Sequence, residues 1–62
     1  MFSATKVYEE VERRVKKGRS VKSCCRSVAK MMGFEEGEIE VLVAGVNEKW
    51  YKMLGYDVRD KI

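Results

Sequence analysis

The sequence lacks the residues from which most metal and catalytic sites are built. Its 62 residues include no histidine and no Cys-x-x-Cys pair, because the two cysteines are adjacent. A tetrahedral zinc site draws its ligands mainly from these residue types, so too few ligands are present. There is also no glycine-rich phosphate loop, and so short a chain has little room for a deep pocket. We therefore expect a protein that is not an enzyme and needs neither a metal nor another cofactor.

Long apolar segments are missing as well. The longest apolar run, residues 41–46, is far shorter than the ~18 residues of a membrane-spanning helix. Residues 1–4 lack the charged start and apolar core of a secretory leader. Neighbouring side chains on a helix diverge by about 100°, so Cys24 and Cys25 are badly placed to form a disulfide with each other. These features predict a cytoplasmic protein with free thiols and no membrane contact.

The length allows a single domain, residues 1–62, with a small core. A chain of this size buries only about 60% of its unfolded surface. Disulfides, metals or a partner subunit commonly supply the missing stability. Because the first two are absent here, we expect a homodimer.

Charge is distributed unevenly along the chain, whose net charge is +3. Nine basic and three acidic residues give residues 1–34 a net charge of +6, whereas residues 35–62, with four and seven, carry −3. Such a chain can pair with its own copy or present a basic face to a polyanion.

The spacing of apolar residues predicts two helices in the first half of the chain. The first, about residues 4–17, carries the stripe Ala4, Val7, Tyr8, Val11 and Val15. The second, about residues 21–32, carries the stripe Val21, Cys24, Cys25, Val28, Ala29 and Met32. Ser20 is suited to cap the second helix and Gly33 to close it.

The third segment permits two interpretations. Its apolar residues fit one helix over about residues 36–54, closed by Gly55, with Trp50 in the core and Tyr51 to one side. Gly45 would cost this helix about 1 kcal/mol relative to alanine. Alternatively, residues 38–44 alternate charged and apolar side chains and form a strand, followed by a helix over residues 47–54. That strand would pair with residues 56–58 of the tail or with its own copy across a dimer. We favour the first interpretation, an all-α three-helix bundle, over the α+β fold. The tail, residues 56–62, is too short for an element of its own.

Five residues in the stretch Ser20–Leu42 have the spacing of two helices that cross at a sharp turn. The small residue at the crossing, the turn glycine, the corner residue and the two returning apolar residues are Ala29, Gly33, Phe34, Ile39 and Leu42. This stretch resembles the helix-turn-helix family of DNA-binding domains. The resemblance implies a three-helical, commonly dimeric domain whose second motif helix enters the major groove.

The segment that would read base edges departs from the family's pattern, because it is acidic. It carries Glu35, Glu36, Glu38 and Glu40 and no Arg, Lys, Asn or Gln. Carboxylates repel phosphates and can only accept hydrogen bonds from bases. These glutamates either favour the helix start electrostatically or form a face for a protein partner.

A basic ridge on the second helix is the alternative contact surface. Lys22, Arg26 and Lys30 recur every four residues, and none has a glutamate four residues away. The complete ridge is Arg19, Lys22, Ser23, Arg26, Ser27 and Lys30. It is suited to a phosphate backbone or an acidic protein surface, and equally to a solvated helix face.

These features favour a small non-enzymatic regulatory protein, of the kind that regulates transcription, which binds nucleic acid through phosphate contacts from the basic ridge. DNA is favoured over RNA. The alternative is a protein-interaction module or inhibitor that uses the basic ridge or the acidic cluster. A structural homo-oligomer held by the apolar third segment is a third possibility.

Overall fold

The computed structural model describes residues 3–16 and 18–60, which form four helices. They are α1 (Ala4–Arg14), α2 (Val21–Met31), α3 (Glu36–Ala44) and α4 (Glu48–Met53). α2 packs against both α1 and α3. No strand occurs in these two described ranges, so the all-α prediction is confirmed. The alternative strand at residues 38–44 is wrong, because those residues belong to α3.

The apolar stripe of α1 forms one wall of the core. Val7 and Val11 are fully buried, and Val15 is buried although it lies beyond the end of the helix. The helix is therefore shorter than the predicted residues 4–17, of which position 17 lies outside the described residues. After α1 the chain turns at Gly18, whose φ of +86° favours glycine. Ser20 then caps α2, as predicted, by accepting a hydrogen bond from the Ser23 amide at 3.2 Å.

The turn between α2 and α3 forms where the glycine predicts it. Gly33 has a φ of +89°, and its amide donates to the Lys30 carbonyl at 3.1 Å. The Phe34 amide donates to the Ala29 carbonyl at 3.1 Å, which completes a Schellman motif. Beyond the turn, Ile39 and Leu42 return to the core, where Ala29 is fully buried. The predicted packing of these two helices about Ala29 and Gly33 is present.

The predicted single helix over residues 36–54 is wrong, because it is broken into α3 and α4. The described part of the chain therefore has four helices instead of three. α3 ends at Gly45, and the Asn47 side chain starts α4 by accepting a hydrogen bond from the Trp50 amide at 3.2 Å. The Tyr8 hydroxyl donates to the Leu42 carbonyl at 2.8 Å. A Cβ atom at position 45 would lie 2.5 Å from that hydroxyl oxygen, so glycine makes this contact possible.

The break also changes which aromatic residue is buried. Because α4 starts afresh at Asn47, its phase is not that of α3, and Tyr51 rather than Trp50 enters the core. Tyr51 is 6% exposed and Trp50 is 45% exposed, which reverses the prediction. The Tyr51 ring packs edge-on against Tyr56, with ring centroids 5.8 Å apart.

The tail crosses the beginning of α2. The Val21 amide donates to the Asp57 carbonyl at 2.8 Å, within a single parallel bridge between Ser20 and Asp57. The Ser20 hydroxyl donates to the Arg59 carbonyl. Ser20 therefore both caps α2 and holds the tail beside it.

Candidate nucleic-acid interface

The two central cations of the basic ridge are paired with carboxylates from other elements. Lys22 forms an ion pair with Glu48 of α4. Arg26 pairs with Glu40 of α3 and, at 2.5 Å, with Asp60 of the tail. These partners lie 14 to 34 residues from the cations they neutralise, so helical periodicity cannot reveal them.

The pairing changes the electrostatics of the ridge. The hydrogen bond and positive charge of Lys22 hold the pKa of Glu48 below its usual value of 4.5. Hydrogen bonds to Glu40 and Asp60 raise the pKa of Arg26 further above its ordinary value. Arg26 thus stays charged, but two carboxylates share its charge. Lys22 and Arg26 join α2 to α3, α4 and the tail.

The two ends of the ridge differ from its centre. Arg19 and Lys30 are exposed, and neither forms an ion pair with a carboxylate in residues 3–16 or 18–60. Their charge is available to an anionic partner. In the predicted ridge, Arg19 and Lys30 therefore have no described carboxylate partner, whereas Lys22 and Arg26 between them form ion pairs.

A groove lies between the end of α1 and the adjoining side of α2. Its volume is about 750 Å³, and it is open to solvent. Its rim carries three described cations, Arg14, Lys16 and Arg19, and none of its described lining residues is a carboxylate. Ser23 and Ser27, predicted as part of the ridge, line this groove instead.

Sequence reasoning missed Arg14 and Lys16 as members of this surface. Arg14 pairs with Glu10, four residues earlier on α1, a spacing at which opposite charges on a helix attract each other. Lys16, however, lies beyond the end of α1 and has no ion pair with any described carboxylate. The basic run of residues 13–19, interrupted by Val15 and the turn residue Gly18, was the available signal.

The acidic cluster of α3 has two separate structural roles. The Glu38 carboxylate accepts a hydrogen bond from the Glu35 amide at 3.1 Å, which stabilises the start of the helix. Glu40 binds Arg26. Glu35, Glu36, Glu38 and Glu40 are all exposed, so α3 presents a negative surface where the helix-turn-helix resemblance places base contacts.

The cysteines do not form an activated thiol site. Burial raises the pKa of Cys25 to about 11, with a smaller contribution from Cys24. Burial also raises the pKa of Cys24, which is half-buried in the wall of the groove. Both thiols are consequently protonated at neutral pH, whereas a redox-sensing cysteine needs a lowered pKa.

The same described ranges contain neither a candidate metal cluster nor a helix that could span a membrane. No three His, Cys, Asp or Glu side chains there lie close enough together to hold a metal ion. None of the four helices has the length and apolar character needed to cross a membrane. No protein-family model matches the chain, and neither a curated protein nor a solved structure is significantly similar to it.

Proposed function

We propose that this protein is a small, non-enzymatic regulatory protein of helix-turn-helix type that binds nucleic acid, DNA in preference to RNA, mainly through phosphate contacts. The observation that carries the proposal is the pair of exposed cations Arg19 and Lys30, at opposite ends of α2. Neither has a carboxylate partner in the described ranges. Phosphate contacts made by such side chains supply most of the sequence-independent affinity for nucleic acid.

The α2–turn–α3 unit supports the helix-turn-helix part of the proposal. Its Schellman turn at Gly33 and its burial of Ala29, Ile39 and Leu42 provide the packing that the motif requires. The acidic surface of α3 argues against base reading by that helix. We therefore assign phosphate contact to α2 and leave α3 a structural role.

The sequence predicted that Lys22 and Arg26 contact phosphates, but in this proposal they are not the main phosphate contacts. Both are engaged by carboxylates, and a phosphate would have to displace those carboxylates before it could pair with either cation. Their main role is to hold α3, α4 and the tail against α2. Substitution at either position would therefore disturb stability together with any binding.

Binding to labelled mixed-sequence DNA and RNA, measured as salt rises from about 50 to about 200 mM, tests the proposal. Replacing Arg19 and Lys30 with alanine should reduce the slope of log affinity against log salt on duplex DNA by about two units. Lys49→Ala with Lys52→Ala is the matched control, because it removes the same charge from exposed positions on α4. Equal losses in the two double variants would show that only net charge matters.

A protein-interaction module is the second candidate, favoured by the start of α3. Glu35, Glu36 and Glu38 form no ion pair with any described cation, and nearby Val41 is 72% exposed. This mixed acidic and apolar surface suits a basic partner. An oligolysine peptide is a suitable probe, and Glu36→Gln with Glu38→Gln should abolish its binding. If the protein bound this peptide but not nucleic acid at low salt, the second candidate would replace the first.

A further inference from the structure

The groove between α1 and α2 has the composition of an anion-binding site. Lys16 and Arg19 on its rim have no ion pair with a described carboxylate, and Arg14 shares its charge with Glu10. Of the groove's hydroxyl-bearing residues, Ser27 is exposed. Cations and hydroxyls are the side chains that bind phosphate oxygens in protein–DNA complexes.

The floor of the groove is apolar. Val15 and Val28 are buried beneath the rim, and the exposed Met31 side chain closes one edge, where its sulfur lies 3.8 Å from the Arg14 guanidinium. An apolar floor below a cationic rim matches a chain that carries regularly spaced phosphates joined by sugars. The groove, with a volume of about 750 Å³ and open to solvent, has room for one such strand.

The groove also differs from the basic ridge in its charge balance. The ridge cations Lys22 and Arg26 are neutralised by Glu48, Glu40 and Asp60. Within the described part of the chain, the three rim cations have one paired carboxylate, Glu10, which binds Arg14. A polyanion therefore meets a larger uncompensated positive charge at the groove than at the centre of the ridge.

We propose that this groove, rather than the Lys22–Arg26 centre of the ridge, binds one phosphodiester strand. Lys16 and Arg19 contact the phosphates, and the Ser27 hydroxyl donates a hydrogen bond. The proposal rests on the proposed nucleic-acid function and specifies where the backbone lies. Single-stranded and duplex nucleic acid both supply such a strand.

A substitution that blocks the groove without changing the net charge tests whether nucleic acid binds in the groove or is only attracted by the protein's positive charge. Ser27→Trp fills the groove without changing net charge, and we expect it to weaken binding of a labelled mixed-sequence oligonucleotide at least about tenfold. Ser27→Ala removes one hydrogen bond only, and should weaken binding about twofold to tenfold. Circular dichroism establishes that both variants are folded.

Lys16→Ala supplies a second measurement that does not depend on Ser27→Trp being folded. It should lower the salt slope by about 0.9 when the probe is duplex DNA and by about 0.7 when the probe is a single strand. The probe for which this loss is observed is the form that occupies the groove. Lys52→Ala is its matched control and should change the slope little.

Three results would overturn part or all of this assignment. If the parent protein bound neither duplex nor single-stranded nucleic acid at low salt, both the proposed function and the groove assignment would fail. If it bound, but Lys16→Ala left the slope unchanged, the groove assignment would fail and the function would stand. The same holds if a folded Ser27→Trp variant bound as tightly as the parent.

Discussion

The close approach of Tyr8 to Gly45 makes Gly45→Ala a sensitive probe of how α1 packs against α3. A Cβ atom at position 45 would lie 2.5 Å from the Tyr8 hydroxyl oxygen, which is well inside van der Waals contact. That hydroxyl donates to the Leu42 carbonyl at 2.8 Å. The backbone at Gly45, with a φ of −83°, is accessible to any residue, so only this contact disfavours alanine.

The expected change in the free energy of unfolding has three contributions, of which the first is stabilising and the other two are destabilising. Glycine to alanine at a compatible backbone position stabilises by about 0.4–1 kcal/mol. Displacing the Tyr8 hydroxyl removes a hydrogen bond of about 0.5–1.5 kcal/mol. Overpacking against the half-buried ring costs about 1–3 kcal/mol more. We expect Gly45→Ala to lower the free energy of unfolding by about 0.5–4 kcal/mol, with a shift in Tm of about 4–8 °C per kcal/mol.

Urea unfolding followed by circular dichroism measures this effect, and a double-mutant cycle isolates its cause. In a Tyr8→Phe background, the atoms nearest the new Cβ are the carbonyl oxygens of Val41 and Leu42, at 3.4 and 3.6 Å. Gly45→Ala should then stabilise the protein by about 0.4–1 kcal/mol. Gly37→Ala, with no atom within 4 Å of its Cβ, is the control and should stabilise by about 0.5–1 kcal/mol. If Gly45→Ala stabilised the protein equally in both backgrounds, the packing of Tyr8 described here would be refuted.

Three further predictions concern ionisation, thiol reactivity and assembly. Because Lys22 holds the pKa of Glu48 below 4.5, that pair should stabilise the fold above about pH 4.5 and be lost as pH falls through the lower folded-state pKa. Unfolding free energies at about pH 7 and about pH 3 should therefore differ less in Glu48→Gln than in the parent, and equal differences would contradict this. Burial raises the pKa of Cys25 to about 11, so a thiol reagent should modify Cys24 before Cys25 in the native protein, whereas denaturant should equalise the two rates. Sedimentation at micromolar concentration should give twice the 7.2 kDa chain mass, and Trp50→Ala, on the exposed apolar face of α4, should shift it towards one chain; a single-chain mass for the parent would remove the dimer.

Local features of this fold could be predicted from the sequence where a residue's own conformation decides the outcome. Gly33 closes α2 because a left-handed turn needs glycine there, and Ser20 caps it because its hydroxyl reaches the Ser23 amide. The burial of Ile39 and Leu42 follows from their spacing after that turn. These predictions depend on interactions within one or two helical turns.

Features that depend on distant contacts could not be predicted in this way. The cost of Gly45 within a helix was visible, but the contact with Tyr8 joins residues 37 positions apart and was not. The pairing of Arg26 with Glu40 and Asp60 likewise requires the folded positions of α3 and the tail. The groove depends on where the chain runs after Arg14, and helical periodicity gives no information there.

The central claim, that α2 and the adjoining groove bind phosphates, is tested most directly by the salt dependence of binding to duplex DNA. Three exposed cations of α2 and the groove, Arg19, Lys30 and Lys16, form no ion pair with a described carboxylate. Three phosphate contacts predict a slope of log affinity against log salt of about −2.7. Replacing the three cations together with alanine should bring the slope close to zero. No measurable binding at about 50 mM salt, or a slope that persists in the triple variant, would contradict the claim.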